Sequence, residues 1–225
     1  MYSSGSISKV TITELLSDMA REIEYTASVV ERALREKGFR GEVLDKLARQ
    51  DVKMLKDKAE RYRNRLLEYV ANGRAEIVGL REFYTAIALS IENSALKMDA
   101  SIFRLLLYIS SSTSTPARIE ERYLALLGKL RDTAGYLTSL IRAISLGGHT
   151  REARRRVQEL ATKISQVEED ADVEYRKALA AIVEELGGDV KGFVLVKEAV
   201  DHLEDAVDLL YNAGNYATII ALSEA

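Results

Sequence analysis

The sequence predicts an all-α protein, a six-helix bundle built from two repeated three-helix units, and three observations carry that expectation. Apolar residues recur at three- and four-residue steps along the chain, as in Leu160, Ile164, Val167, Ala171, Ala178 and Ile182, and no alternating strand pattern competes. Proline, the strongest helix breaker, occurs once, at Pro116, and glycines fall where helical patterns pause. A constant shift of 112 residues aligns Val52 with Ile164, Leu55 with Val167, Ala59 with Ala171, Leu67 with Leu179, Val70 with Ile182, Val78 with Val190, Ile91 with Leu203 and Glu92 with Glu204.

Taken in order, the first helix opens with the capping box Thr11-x-x-Glu14 and runs to Gly38. The second spans roughly Glu42 to Asn72 and stops at Gly73, a residue suited to the left-handed position after a helix. The third runs from about Ala75 to Ile109. Ser110 to Thr115 is the one linker-like stretch, with Thr115 as N-cap and Pro116 at the first helical position, where a missing N–H costs nothing. The fourth helix reaches Gly147-Gly148, the fifth runs from about Arg151 to Leu186, and the sixth from about Asp189 to Leu222, beyond Gly187-Gly188. The domain reading is a first repeat at 1–110, a Ser/Thr linker at 111–116 and a second repeat at 117–225. The first and fourth helices align less cleanly than the others.

Composition narrows the function classes. Hydrophobic residues at 47% and charged residues at 30% describe a folded globular chain, and a net charge of −3 gives no global attraction to nucleic acid or anionic lipid. No run of eighteen apolar residues suggests a membrane span, and Met-Tyr-Ser-Ser-Gly-Ser has neither region of a secretory signal, so the cytoplasm is expected. The absence of cysteine removes disulfides, thiol catalysis and Cys-based zinc sites. Few prolines, glutamines and asparagines beside abundant Arg and Glu lean towards a thermophile.

The sixth helix carries the pattern with chemical content. Asp201, Glu204, Asp205 and Asp208 fall within an arc of about 100°, extended by Asn212 and Asn215. A generic solvated face would mix both signs, yet no Lys or Arg follows Lys197. On the fifth helix, Glu168 projects at the edge of the apolar arc, with Asp172 one turn on. Folding the chain about Gly187-Gly188 places Glu168 level with Asp208 and Asp172 level with Glu204. Four carboxylates meeting there repel unless they share protons or bind cations, and Lys163 and Arg176 are the nearest positive charges. Hard oxygen donors without His or Cys suit Mg²⁺, Mn²⁺, Ca²⁺ or oxo-bridged iron; a water-filled acidic groove is the competing reading. Asp201 and Asp205 are expected as outer ligands. In the first repeat the equivalent positions are Lys56, Glu60, Glu92 and Leu96. Folding about Gly73-Arg74 predicts a Lys56–Glu92 ion pair in place of a metal.

Glu168-Glu-Asp-Ala-Asp172 and Glu204-Asp-Ala-Val-Asp208 match E/D-x-x-x-D motifs, and on these the chain resembles the PhoU-like family. The likeness is to its stand-alone branch of phosphate-transport regulators and Pit-type transporter accessory proteins. The resemblance covers the second, third, fifth and sixth helices well and the other two loosely. It implies two three-helix units whose motifs bind a multinuclear metal cluster. Because the first repeat fails the motif in both helices, at most one cluster is implied. Iron, zinc or nickel is the implied metal, and iron suits all-oxygen ligation best. It further implies a non-enzymatic regulator of phosphate homeostasis acting on a protein partner, such as a membrane phosphate transporter or its regulator, with room for a homo-oligomer.

Other functions find less support in the sequence. His149 lies in a Gly-Gly-His-Thr turn and His202 projects about 160° from Glu204, so no acid–His pair for catalysis or a ferritin-like site is expected. No phosphate loop or nucleophile–His set is present. Arg151, Arg154, Arg155 and Arg156 oppose the dipole of the fifth helix; pairing with nearby acids is the plain reading, and an anionic partner the functional one. Tyr211 and Tyr216 read as core. The main alternative is a helical scaffold with an exposed acidic face and no metal.

Overall fold

The computed structural model describes residues 4–72, 79–112, 114–145 and 151–223, with side chains from Val10 to Ala71 in the first stretch. All secondary structure among them is helical. Helix α1 (Ser4–Lys37) begins a full turn and more before the expected capping box. Nothing between Ser4 and Val10 stops a helix that the buried Ile12, Leu16, Met19 and Ile23 set in phase, so Thr11 and Glu14 lie inside it. The Thr13 hydroxyl bonds back to the Val10 carbonyl at 3.0 Å. Gly38 ends α1 with φ +74°, and its N–H bonds the Leu34 carbonyl at 2.9 Å.

The second expected helix is a continuous rod in three parts: α2 (Gly41–Lys46), a π-helical turn (Leu47–Val52) and α3 (Lys53–Asn72). The wide turn has a sequence cause. Leu47 and Val52 are both buried, five residues apart, and α geometry would point them about 140° from each other. Winding that turn more loosely brings both to the core. The expected Gly73 stop lies outside the described residues. Helix α4 (Arg81–Ile109) starts later than anticipated, after a turn at Gly79 and Leu80.

Serines end α4, as the hydroxyls of Ser110 and Ser111 bond the carbonyls of Leu106 and Tyr108 at 2.7 and 3.0 Å. Helix α5 (Ala117–Ser145) follows Pro116, whose carbonyl accepts the first helical bonds from Ile119 and Glu120. Thr115 does not cap it through its side chain: its hydroxyl is buried without a partner. The Gly147-Gly148 pair and His149 fall outside the described residues. Helices α6 (Arg151–Leu186) and α7 (Val190–Ser223) are joined through Gly187-Gly188, and the Asp189 carboxylate caps α7 by accepting the Gly192 N–H at 3.0 Å.

Helices α1 and α5 pack together, α4 and α7 pack together, and these four hold the core; α3 lies on α1 and α4, and α6 on α5 and α7. The α4–α7 crossing is fixed by two buried serines. Ser94 donates to the Ala206 carbonyl at 2.9 Å and Ser101 to the Ala199 carbonyl at 2.6 Å, an antiparallel register. Ser94 thereby meets the very residue that the 112-residue shift pairs with it, the arrangement a twofold relation between the halves would produce. Tyr211 and Tyr216 are partly buried against the core, Tyr216 beside the Phe83 ring at 6.3 Å.

Candidate metal centre

Helix α6 presents one apolar face to the bundle through Leu160, Ile164, Ala171 and Ala178. Glu168 stands on the edge of that face, between Ile164 and Ala171, and is half-buried along with Asp172. Helix α7 buries Leu203, Ala206, Val207 and Leu210, which leaves Glu204 and Asp208 at the seam with α6. The cap at Asp189 sets the level of α7 against α6. As a result, one carboxylate oxygen each from Glu168, Asp172 and Asp208 lie within 4.8 Å of one another.

The electrostatics are those of a group short of positive charge. Glu204 is pushed up to about 7, first by burial and then by Asp208, Asp205, Asp172 and Asp201. Burial, Asp172 and Asp205 raise Asp208; burial, Asp172, Asp208 and Glu169 raise Glu168. Arg176 approaches Asp172 at 3.6 Å from a largely exposed position. Lys163 instead sits 5.3 Å above the Tyr136 ring.

The two acids expected as outer ligands are engaged elsewhere. Asp201 takes Lys197 at 2.5 Å and the Tyr175 hydroxyl at 3.0 Å. Asp205 takes Lys97 of α4 at 2.7 Å, with His202 Nδ1 3.7 Å away. His202 therefore touches the rim of the acidic face through Asp205, closer than its projection suggested. Lys197 is readable in sequence as an i,i+4 partner of Asp201; Lys97 depends on the α4–α7 crossing and is not.

In the first half the expected Lys56–Glu92 pair is not formed. Lys56 bonds Asp99 at 2.7 Å, and Glu92 lies 3.4 Å from Arg63. Helices α3 and α4 therefore meet in a register different from the expected one. Of the arginine run, Arg155 and Arg156 pair with Glu159 at 2.8 and 3.7 Å on the surface. No helix of the described residues is long and apolar enough to cross a membrane.

Neither a protein-family model nor a curated protein matches the sequence. Among solved structures, the crystal structure of a PhoU-like protein from Shewanella oneidensis MR-1 aligns with a TM-score of 0.71 and 13% sequence identity. The alignment covers 94% of this chain and 99% of that one. Identity this low speaks for architecture alone: the chain has a PhoU-like fold.

Proposed function

We propose that this chain is a metal-binding, non-enzymatic regulator of phosphate uptake or homeostasis. It acts in the cytoplasm by binding a protein partner, a membrane phosphate transporter or a signalling protein. The observation that carries the metal is the meeting of Glu168, Asp172 and Asp208 within 4.8 Å, with Glu204 beside them and raised to about 7. The donor set fits a hard cation: all oxygen, mutually repelling, and with Arg176, 3.6 Å from Asp172, the one positive side chain paired with the three among the described residues. Glu168, Asp172 and Asp208 would hold the ion and Glu204 would complete its surroundings. Iron is favoured, with Mn, Mg, Zn or Ni as the other candidates. The bound charge would let these acids stay ionised and would tie α6 to α7. The phosphate connection rests on the PhoU-like fold and on the two motifs.

A second reading is a helical scaffold without metal. Favouring it, Asp201, Asp205 and Asp172 already have cations within 4.0 Å. Two measurements separate the readings. Protein purified without chelator should carry metal. After chelation, added Fe or Mn at about a hundred times its dissociation constant should stabilise the fold by about 2.7 kcal/mol, or roughly 5–10 °C. The Glu168→Gln/Asp208→Asn variant should lose that response. Metal-free protein that ignores added metal, like the variant, leaves the scaffold.

A further inference from the structure

Helix α4 is apolar on two faces. Its inner face, with Ile87, Ile91, Met98, Ile102 and Leu105, belongs to the core. Its outer face carries Leu89, Leu96 and Phe103 at strict seven-residue spacing, 39%, 43% and 47% exposed, and Leu107 at 38%. Between them, at the alternate positions of a heptad, stand Asn93, Ala100 and Leu107. Leucine or phenylalanine at three successive d positions, with a single asparagine among the a positions, is the pattern of a short two-stranded coiled-coil seam. The line spans about 27 Å of helix. Its apolar patch is on the order of 300 Å², within the range of the largest apolar patch on a typical monomer, which is often functional.

We propose that this outer face of α4 is the seam through which two copies of the chain pair as parallel helices. The choice of a second copy rests on charge. One flank of the seam is acidic, with Glu92 and Asp99, and the other basic, with Lys97 and Arg104. In a parallel pair the g residue of one helix meets the e residue five places on in the other. Glu92 then faces Lys97 of the second copy, and Asp99 faces Arg104, with both contacts repeated across the twofold axis. An antiparallel pair would set acid against acid and base against base. Asn93 would meet its own counterpart, where an a-position asparagine fixes register. Within one chain the four rim charges are already neutralised, by Arg63, Lys56, Asp205 and Glu198, so bringing two rims together adds no net charge. At the 112-residue shift Leu89, Leu96 and Phe103 occupy the positions of Asp201, Asp208 and Asn215. The face that is acidic on α7 is apolar on α4.

The test uses the full chain. At about 100 µM, well above micromolar dimer affinities, light scattering should give twice the 25.1 kDa chain mass. Leu96→Lys with Phe103→Glu should return a single-chain mass with helicity and unfolding temperature retained, since both side chains are exposed. Because the chain has no cysteine, Leu89→Cys and Phe103→Cys report orientation when oxidised separately. Each should form its own disulfide-linked dimer. A single-chain mass for the unaltered protein overturns the proposal. So does a dimer indifferent to the double substitution, or cross-linking seen only when the two cysteine variants are mixed.

Discussion

Replacing Glu204 by glutamine isolates the charge imbalance at the α6–α7 seam. The carboxyl is held at about 7 in the folded chain against an ordinary value of 4.5, so the fold binds its proton more tightly than the unfolded chain does. The stability this confers is complete below about pH 4.5 and is lost as pH rises through 7. Unscreened, the gap between those values would amount to about 3 kcal/mol. For a partly exposed side chain such as this, screening leaves about 1 kcal/mol. In chelator at pH 8, Glu204→Gln should therefore unfold about 2–4 °C above the unaltered protein. The difference should shrink steadily towards pH 5 and vanish near pH 4.5. Taking the difference between two proteins cancels the groups they share, including Glu174 and Asp170, which hydrogen bonds to Lys177 and Lys129 hold below their usual range. Thermal unfolding followed by circular dichroism across that pH range measures it. A variant that is less stable at pH 8, or a difference independent of pH, would refute the reasoning, because Glu204 would then be contributing a favourable charge.

Two further substitutions probe what surrounds the seam. Ser101 gives its proton to the Ala199 carbonyl, so the buried Tyr123 hydroxyl, 2.8 Å away, donates to Ser101. Ser101→Ala should strand that hydroxyl at a cost of about 1–3 kcal/mol, read as a fall in unfolding temperature; an unchanged temperature would contradict the register assigned to α4 and α7. Lys197→Met should release Asp201 and add an uncompensated charge near Glu204, tightening Mn²⁺ binding about two-fold in titration calorimetry and lowering the metal-free unfolding temperature slightly. Weaker Mn²⁺ binding would show that Lys197 supports the centre by position and not by its charge.

Where sequence and structure agree or part follows from how local each feature is. The helices themselves are set by apolar period, so their number and most of their ends were legible. The π turn was not, because one five-residue step from Leu47 to Val52 is lost in a long run of threes and fours. Levels across a hairpin depend on the turn. Gly187-Gly188 with the Asp189 cap is short and self-defining, and Glu168 and Asp208 meet as the fold about it implies. In the first half the pivot expected at Gly73 lies outside the described residues, and the pairs formed, Lys56 with Asp99 and Arg63 with Glu92, are not the ones it implies. The capping pattern at Thr11 and Glu14 failed differently: the motif marks a start only where the preceding residues leave the helix, and Ser4 to Val10 do not. Lys97 at Asp205 was beyond reach, since it follows from the serine contacts of α4 with α7.

The two α-hairpins balance charge by opposite means, and this bears on what each can do. Where α6 carries Glu168 and Tyr175, α3 carries Lys56 and Arg63, and these cations pair with Asp99 and Glu92 on α4. The first hairpin thus carries its counter-charge covalently, as side chains that leave only when the fold opens. In the second, Asp201 and Asp205 are neutralised along one edge of α7 by Lys197 and Lys97, while Glu168, Glu204 and Asp208 have no ion-pair partner among the described residues. Their balance must come from protons or from a cation in solution. On the proposed reading, the contact of α6 with α7 therefore answers to metal supply as well as to pH, whereas α3 and α4 meet through cations fixed in the chain. The apolar seam of α4 thus lies on the hairpin whose counter-charges are fixed in the chain.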